Sequence, residues 1–167
     1  MTKLSETLTR DRPPQKVLIG ARLTEMQLRP LLDAHARFQA GRADGRRAVL
    51  LRCDLSGLDL RGVDLSGADL VECDFAGSNL TGARLDGATL SGCRFADSLL
   101  NGTRFSGADL TRADFHMADL RGADFSEAKL TDTRLENALL GESPETGLPT
   151  NIDTRILDRA IERRRRH

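Results

Sequence analysis

Histidines, cysteines and a regular series of aspartates are the residues of this 167-residue chain that could carry chemistry. The three histidines, His35, His116 and His167, lie far apart, and none belongs to an HExxH or similar metal-binding motif. The sequence also lacks a phosphate-binding glycine loop, a GxSxG nucleophile motif and an EF-hand loop. We therefore expect a protein that is not an enzyme, with no catalytic residues, no cofactor and no metal site.

The cysteines Cys53, Cys73 and Cys93 are spaced twenty residues apart. An odd number of cysteines without a CxxC pair does not indicate a disulfide framework or a zinc site. If residues twenty apart stack, the three Cα atoms come within the range that a disulfide spans. All three nevertheless occupy a place that alanine and serine fill elsewhere in the same repeat. We interpret them as buried thiols that pack as small apolar side chains.

A repeat of five residues must position these groups. From Leu50 to Leu140 every fifth residue is leucine or phenylalanine, which we term the register residue, without any insertion. The residue two before it is small (Ala, Ser, Thr or Cys) in every unit except those with Leu58 and Val63. Neither a helix nor a flat strand keeps such a row on one side, because their side-chain periods are 3.6 and 2. The chain must turn a corner every five residues, with the register residue and the small residue directed inward.

Four such corners would close one coil, so residues twenty apart should stack. The cysteines fit this spacing, and so do the phenylalanines: Phe75, Phe95 and Phe115 form one series, and Phe105 and Phe125 form another. With four units in each coil, the two series lie on opposite sides. The sequence therefore predicts two phenylalanine stacks that face each other across the interior.

The units Ala68-Asp69-Leu70, Ala108-Asp109-Leu110 and Ala123-Asp124-Phe125 resemble the A(D/N)LXX repeats of the pentapeptide-repeat family. The resemblance covers about residues 48–142. It implies an all-β solenoid, a right-handed quadrilateral β-helix, here of nearly five coils. With neighbouring strands about 4.8 Å apart, this solenoid is about 23 Å long.

The N-terminal flank predicts a helix that caps one end of the solenoid. Residues 24–47 resemble a helical leader found before the repeats in many bacterial members of the family. The run from Thr24 to Gln27 predicts a capping box, and Gly41 predicts a stop, whereas Pro30 predicts a kink or a later start. Residues 1–23 form an N-terminal extension that either adds an edge strand through its apolar run, residues 17–19, or is partly disordered.

The C-terminal flank predicts a linker, residues 143–150 with two prolines, followed by an amphipathic α-helix with a basic tail, residues 151–167. The apolar stripe of this helix either folds over the last coil as a cap or contacts a second subunit in a homodimer. A coil end could also form such a dimer. We interpret the run Arg163–Arg166 as a solvated tail, with binding to phosphate or an acidic partner as the alternative. The stripe consists of Ile152, Ile156, Leu157, Ala160 and Ile161.

Rows of aspartate directly before the register residues suggest an acidic surface. The resemblance implies one function for it, because some pentapeptide-repeat proteins mimic DNA, inhibit DNA gyrase and confer quinolone resistance. The rows are interrupted in the middle by Arg84, Arg94 and Arg104, which would repel a basic groove. The candidate acidic residues are Asp54, Asp59, Asp64, Asp69, Asp74, Asp109, Asp114, Asp119 and Asp124.

Overall composition limits the partners. The chain has 25 Lys+Arg and 25 Asp+Glu, so its zero net charge argues against nucleic-acid or membrane binding driven by global charge. It has no signal-peptide pattern and no spanning segment, which predicts a cytoplasmic protein. Our first hypothesis is a non-enzymatic protein-binding or scaffold module with an unknown partner. The alternative is a DNA-mimicking inhibitor of gyrase or topoisomerase.

Overall fold

The computed structural model describes residues 16–153 and 155–156. Its main feature is a ladder of parallel backbone bridges between residues twenty positions apart, from Val49↔Asp69 to Asp119↔Leu139. The amide of each register residue donates to a carbonyl of the next coil, as Leu50 N–H does to Asp69 O at 2.8 Å. The chain is therefore a β-solenoid in which one coil takes four five-residue units, as the sequence predicts.

The four units of a coil define four faces. The residues directly before and after each register residue point outward, and the register residues themselves point inward. Face 1 carries Leu50, Leu70, Leu90, Leu110 and Leu130; face 2 carries Leu55, Phe75, Phe95, Phe115 and Leu135; face 3 carries Leu60, Leu80, Leu100, Leu120 and Leu140; face 4 carries Leu65, Leu85, Phe105 and Phe125.

Both predicted phenylalanine stacks are present. The rings of Phe75 and Phe95 are 5.0 Å apart and nearly parallel, and Phe105 stacks on Phe125 at 5.0 Å. The two stacks meet edge to face across the interior, with 5.9 Å between the ring centroids of Phe95 and Phe105. Opposite faces therefore touch, and the interior is filled by its own side chains.

The stacks are less buried in the last coil. Every register residue from Leu50 to Phe125 is buried, whereas Leu130 is half-buried and Leu140 is 37% exposed. Within the described residues, no register residue of a following coil stacks on these two leucines. The sequence predicts all nineteen register residues inside, and at Leu140 this prediction is wrong.

Each corner places the residue two after the register residue in the left-handed region, which costs a non-glycine residue about 1–2 kcal/mol. Glycine fills many of these places, but Arg52 (φ 54°) and Arg112 (φ 59°) are among the non-glycine residues that adopt the same conformation. The ladder on both sides of each corner imposes the conformation whatever the side chain. The residue type at a corner can therefore vary with function while the backbone conformation stays the same.

The solenoid begins before the helix. Strand β1 (Val17–Ile19) pairs in parallel with β2 (Val49–Leu51), and Arg22 bridges Asp54. This register places Leu18 one coil before Leu50 and Leu23 one coil before Leu55. Of the two interpretations of the N-terminal extension, the edge strand is therefore correct for residues 17–19. Residues 1–15 lie outside the described residues.

Helix α1 (Glu25–Gln39) follows this half coil. Its capping box is confirmed: the Thr24 hydroxyl accepts from Gln27 N–H, and the Gln27 side chain accepts from Thr24 N–H. The helix runs through Pro30 and does not restart there. Leu28 is buried against the solenoid core, so the apolar side of α1 faces the first complete coil.

The C-terminal flank differs from its predicted division. Residues 143–149 are not an open linker but a tight turn, with Glu142 bridging Pro149 and Gly147 N–H donating to Ser143 O. The ladder then resumes, because Asn151 bridges Asp124. Ile152, predicted as part of an amphipathic helix, is instead the register residue that follows Phe125. Helical conformation appears at Arg155 and Ile156.

Candidate interaction surface

The outward aspartates are part of the turns. In eight of the nine candidate aspartates Oδ1 accepts a hydrogen bond from the amide two residues on, as Asp54 does from Ser56 N–H and Asp74 from Ala76 N–H, both at 2.9 Å. Such a bond satisfies a backbone donor that the corner leaves unpaired. The hydrogen bonds to the corner amides therefore explain the regular spacing of the aspartates without any partner.

The same aspartates form ion pairs. Eight of the nine candidate acidic residues lie within 2.6–3.7 Å of an arginine or lysine, several across neighbouring coils. The ninth, Asp124, accepts a hydrogen bond from the Asn151 side chain at 2.9 Å. The pairs are Asp54 with Arg22, Asp59 with Arg61, Asp64 with Arg84, Asp69 with Arg47, Asp74 with Arg94, Asp109 with Lys129, Asp114 with Arg134 and Asp119 with Arg121.

Hydrogen bonding to the carboxylates lowers the pKa of several. The Arg121 side chain, which reaches both oxygens of Asp119 at 2.6–2.9 Å, is the main cause of the lowered pKa of that carboxyl. The Arg61 side chain lowers the pKa of Asp59 in the same way. These groups are therefore ionised at neutral pH, but their charge is balanced locally. The surface shows alternating charge rather than an acidic band.

The C-terminal candidate residues are only partly described. Ile152 and Ile156 are half-buried and pack against the core. With Phe125 and Leu130 they line an open cleft of about 320 Å³ at the end of the solenoid. Leu157, Ala160 and Ile161 lie outside the described residues.

His35 is the polar residue whose role sequence reasoning missed. It is completely buried between α1 and the first coil, and both ring nitrogens make hydrogen bonds to the backbone. Gln39, one turn later, donates to Asp64 Oδ1 at 2.9 Å and to Ser66 O at 3.1 Å. Helix α1 is thus held by directional polar contacts as well as by Leu28. A histidine on the apolar side of a predicted helix was the only signal.

The thiols make hydrogen bonds within the stack. Cys73 Sγ donates to Leu50 O at 3.2 Å and Cys93 Sγ to Leu70 O at 2.8 Å, and the Thr103 hydroxyl makes the same contact with Leu80 O. All three cysteines are buried and free. Among the described residues, no group of three or more His, Cys, Asp or Glu side chains is placed to hold a metal ion.

His116 and Glu136 occupy the same outward place in neighbouring coils of face 2. Because residues twenty apart stack, the sequence predicts a surface pair between His116 and Glu136, but neither His116 Nδ1 nor Glu136 Oε2 makes a hydrogen bond to a described residue. Arg134 Nε lies 3.7 Å from Glu136 Oε2 instead. The predicted pair is wrong, and the ion-pair partner of this carboxylate is Arg134.

Two family models match consecutive parts of the repeat. Pentapeptide repeats (8 copies) match residues 40–67, and the pentapeptide repeat region matches residues 68–144. Together they cover more than half of the chain, including the bridges from Val49↔Asp69 to Asp119↔Leu139. The chain belongs to the pentapeptide repeat family. No curated protein matches it.

Solved pentapeptide repeat structures resemble the chain. A protein of the Arabidopsis thaliana thylakoid lumen is 24% identical, with 58% of this chain and 80% of that chain covered and a TM-score of 0.52. HetL of Nostoc sp. strain PCC 7120, involved in heterocyst differentiation regulation, is 32% identical, with 53% and 45% covered and a TM-score of 0.46. QnrB1, a plasmid-mediated fluoroquinolone resistance protein, is 24% identical, with 70% and 66% covered and a TM-score of 0.29.

The likeness to the thylakoid-lumen protein supports the solenoid fold. The chain spans less than half the length of HetL. In the part of the chain that the structure describes, no helix has the length and apolar character needed to cross a membrane.

Proposed function

We propose that this pentapeptide repeat protein is a non-enzymatic protein-binding or scaffold module, located in the cytoplasm, that presents the outside of a rigid β-helix to a protein partner. The observation that supports this most is the way the outward side chains are held. The backbone ladder fixes their spacing, and the bonds of the aspartates to corner amides fix their direction. A partner that binds such a surface does not have to order it, which favours affinity.

The ends of the solenoid complete the proposal. Helix α1 serves as the N-terminal cap of nearly five coils, because it lays Leu28 and His35 against the first coil. At the other end, residues 151–167 either close the last coil or contact a second subunit. The cleft lined by Ile152 and Ile156 is where a continuation of the chain or a second copy would pack.

Affinity capture with face variants tests the module. Outward residues on one face at a time are changed, for example Leu99→Lys on face 3 and Arg104→Glu on face 4, and retained proteins are quantified against the unchanged chain. We expect one retained protein to depend on a single face. Retention that no face variant alters, or turnover of a substrate by the purified chain, would contradict the proposal.

The alternative is a DNA-mimicking inhibitor of gyrase or topoisomerase. The ion pairs weigh against it, because a mimic has to offer unpaired carboxylates to a basic groove, whereas Arg94 and Arg134 already bind Asp74 and Asp114. A supercoiling assay with DNA gyrase separates the two functions. Inhibition at micromolar protein that disappears in Asp74→Asn would favour the alternative; no inhibition leaves the binding module.

A further inference from the structure

Face 1 is apolar on its outside near the N-terminus. Three successive strands place aliphatic side chains outward: Val17 is 43% and Ile19 is 57% exposed, and Val49, Leu51 and Val71 are half-buried. Further along the same face the outward positions are polar or charged. These are Thr89, Ser91, Asp109, Thr111, Lys129 and Thr131. We term the five aliphatic residues the face 1 patch. Within the area of the patch, the outward Asp69 lies in the same coil as Val71 and pairs with Arg47.

The patch ends at a strand edge. Along the ladder, the residue before each register residue forms hydrogen bonds to the preceding coil through its own amide and carbonyl. Asp69 N–H, for example, donates to Ala48 O, and Asp69 O accepts from Leu50 N–H. Val17 occupies this place in β1, so its amide and carbonyl point away from β2. In the same pairing Gly20 N–H donates to Leu51 O, which leaves the Val17 groups on the side away from β2, and outside the two strands no described residue bonds to them. The edge of β1 can therefore pair with one more strand.

Basic residues flank the patch on both sides. Lys16 and Arg47 lie at one side of face 1, and Arg52 lies at the corner on the other side. Arg47 pairs with Asp69, whereas Lys16 and Arg52 have no ion-pair partner among the described residues. Glu72 follows Arg52 in the next coil. An incoming strand would meet an apolar centre with an excess of positive charge beside it.

We propose that the edge of β1 binds an extended acidic segment of a partner protein, which adds to the solenoid as a further strand. Its alternate aliphatic side chains lie beside Val17 and Ile19, and its carboxylates meet Lys16 and Arg52. This inference rests on the proposed binding function and names its face and partner class. Strand addition of this kind gains affinity from backbone hydrogen bonds and specificity from alternate side chains.

Charge distinguishes this occupant from two others. Residues 1–15 contain Lys3, Arg10 and Arg12 against Glu6 and Asp11, so the chain's own N-terminal segment lacks the acidic character that the basic flanks favour. A second copy paired edge to edge would bring two sets of the same basic flanks together, which like-charge repulsion opposes.

The test measures binding of a fluorescein-labelled peptide of alternating valine and glutamate to the full chain by fluorescence anisotropy. A valine and lysine peptide is the charge control, and a valine and glutamate peptide with N-methylated backbone amides is the strand control. We expect only the unmethylated acidic peptide to bind, with affinity that decreases as salt is added.

Two variant pairs locate the site. Arg52→Glu should weaken binding about fivefold to tenfold, whereas Arg112→Glu, at an equivalent exposed corner of the same column, should leave it unchanged. Ile19→Lys should abolish binding, whereas Leu99→Lys, at an outward leucine of face 3, should not. Equal effects within either pair, or equal binding of the methylated peptide, would overturn the proposal.

Hydrogen exchange on the intact chain decides whether the edge is open. We expect the Val17 amide to exchange fast in the free protein and to become protected when the acidic peptide is added. Slow exchange without peptide would mean that residues 1–15 or a second copy already occupy the edge, and would overturn the proposal. If the proposed module itself is correct but uses another face, the capture experiment finds that face while this peptide fails to bind.

Discussion

The imidazole of His35 accepts a hydrogen bond at Nδ1 from the backbone amide of Ala48, at 3.1 Å. The proton of the neutral ring is therefore on Nε2, which donates to Ser66 O at 3.0 Å. The ring is completely buried, with Asp64 and Arg47 as the charged groups that act on it. Protonation would place a second N–H on Nδ1 facing the Ala48 amide, so a charged ring cannot keep this contact.

Acid should loosen the docking of α1. Burial lowers the pKa of His35 below its ordinary value of 6.5, so the unfolded chain binds the proton more readily than the folded chain. The stabilisation is complete above about pH 6.5 and is lost as the pH falls through the lowered pKa of the folded state. We expect the free energy of unfolding, measured in urea, to be smaller at about pH 5.5 than at about pH 7.5.

Two variants show whether His35 causes this pH dependence of stability. His35→Gln, which cannot titrate, should lose most of the difference between the two pH values. His116→Gln, which changes an outward histidine of face 2, should keep it. The same pH dependence in all three proteins would show that other groups cause it.

Leu90→Ala should destabilise the solenoid strongly. Leu90 is completely buried in the middle of the face 1 stack, with Leu70 and Leu110 on either side. Truncation there loses buried area and leaves a cavity, so we expect a loss of about 2–5 kcal/mol in the free energy of unfolding. Leu99→Ala, at a leucine that is 45% exposed, should change it by less than about 0.5 kcal/mol. Urea denaturation measures both, and a loss below about 1 kcal/mol for Leu90→Ala would contradict its position in the core.

The native cysteines should resist thiol reagents. Burial raises the pKa of Cys73 to about 12 and that of Cys93 well above its ordinary value, so reactive thiolate is scarce in the folded chain at about pH 8. We expect Ellman's reagent to label no cysteine rapidly in native protein and all three after denaturation. Leu139→Cys, at an outward position, serves as a control that should react at once. Rapid labelling of Cys73 without denaturant would mean that the stack opens.

A pair of glycine variants tests the packing of the C-terminal turn. Gly102 and Gly122 occupy equivalent corners with φ of +63° and +71°. A Cβ at Gly122 would lie 2.4 Å from Ser143 Cβ and 3.0 Å from Leu148 O, whereas one at Gly102 meets nothing within 4 Å. Both alanine variants carry the left-handed strain of about 1–2 kcal/mol.

Only Gly122→Ala should also displace the turn, and it should lose about 1–3 kcal/mol more than Gly102→Ala in urea denaturation. We expect limited proteolysis to cut residues 143–149 faster in Gly122→Ala alone. Equal stability and equal proteolysis of the two variants would mean that the turn does not rest on this corner.

The repeat was readable from the sequence because every unit repeats the same inward pair. Leu50 to Phe125 needed only a period of five, and the phenylalanine spacing supplied the coil length of twenty. Leu18 and Leu23 were not readable as register residues. Two units are too few to establish a period, and α1 separates them from Leu50 by a length that is not a multiple of five.

The unit at Thr150, Asn151 and Ile152 was missed for a related reason. The turn adds seven residues, so Ile152 falls out of the row that ends at Leu140. Only the residue types identify this unit, since Thr150 occupies the small inward position and Ile152 the register position. The Thr150 hydroxyl donates to Leu120 O at 2.8 Å, as the Thr103 hydroxyl does to Leu80 O. The surface was harder to predict still, because which arginine meets which aspartate depends on the stacking of coils rather than on neighbours in sequence.

Because a coil of twenty residues is built from units of five, the length of an insertion determines how the later side chains are oriented on the surface. Adding or removing one unit would keep every inward residue inward but rotate all later side chains by a quarter turn about the axis. A change of a whole coil would leave each face aligned and only alter its length. The turn at residues 143–149 avoids both effects, since its seven residues loop out and return Asn151 to the row of Asp124. Length changes in such a protein therefore act as rotations of its binding faces unless they are looped out at a corner.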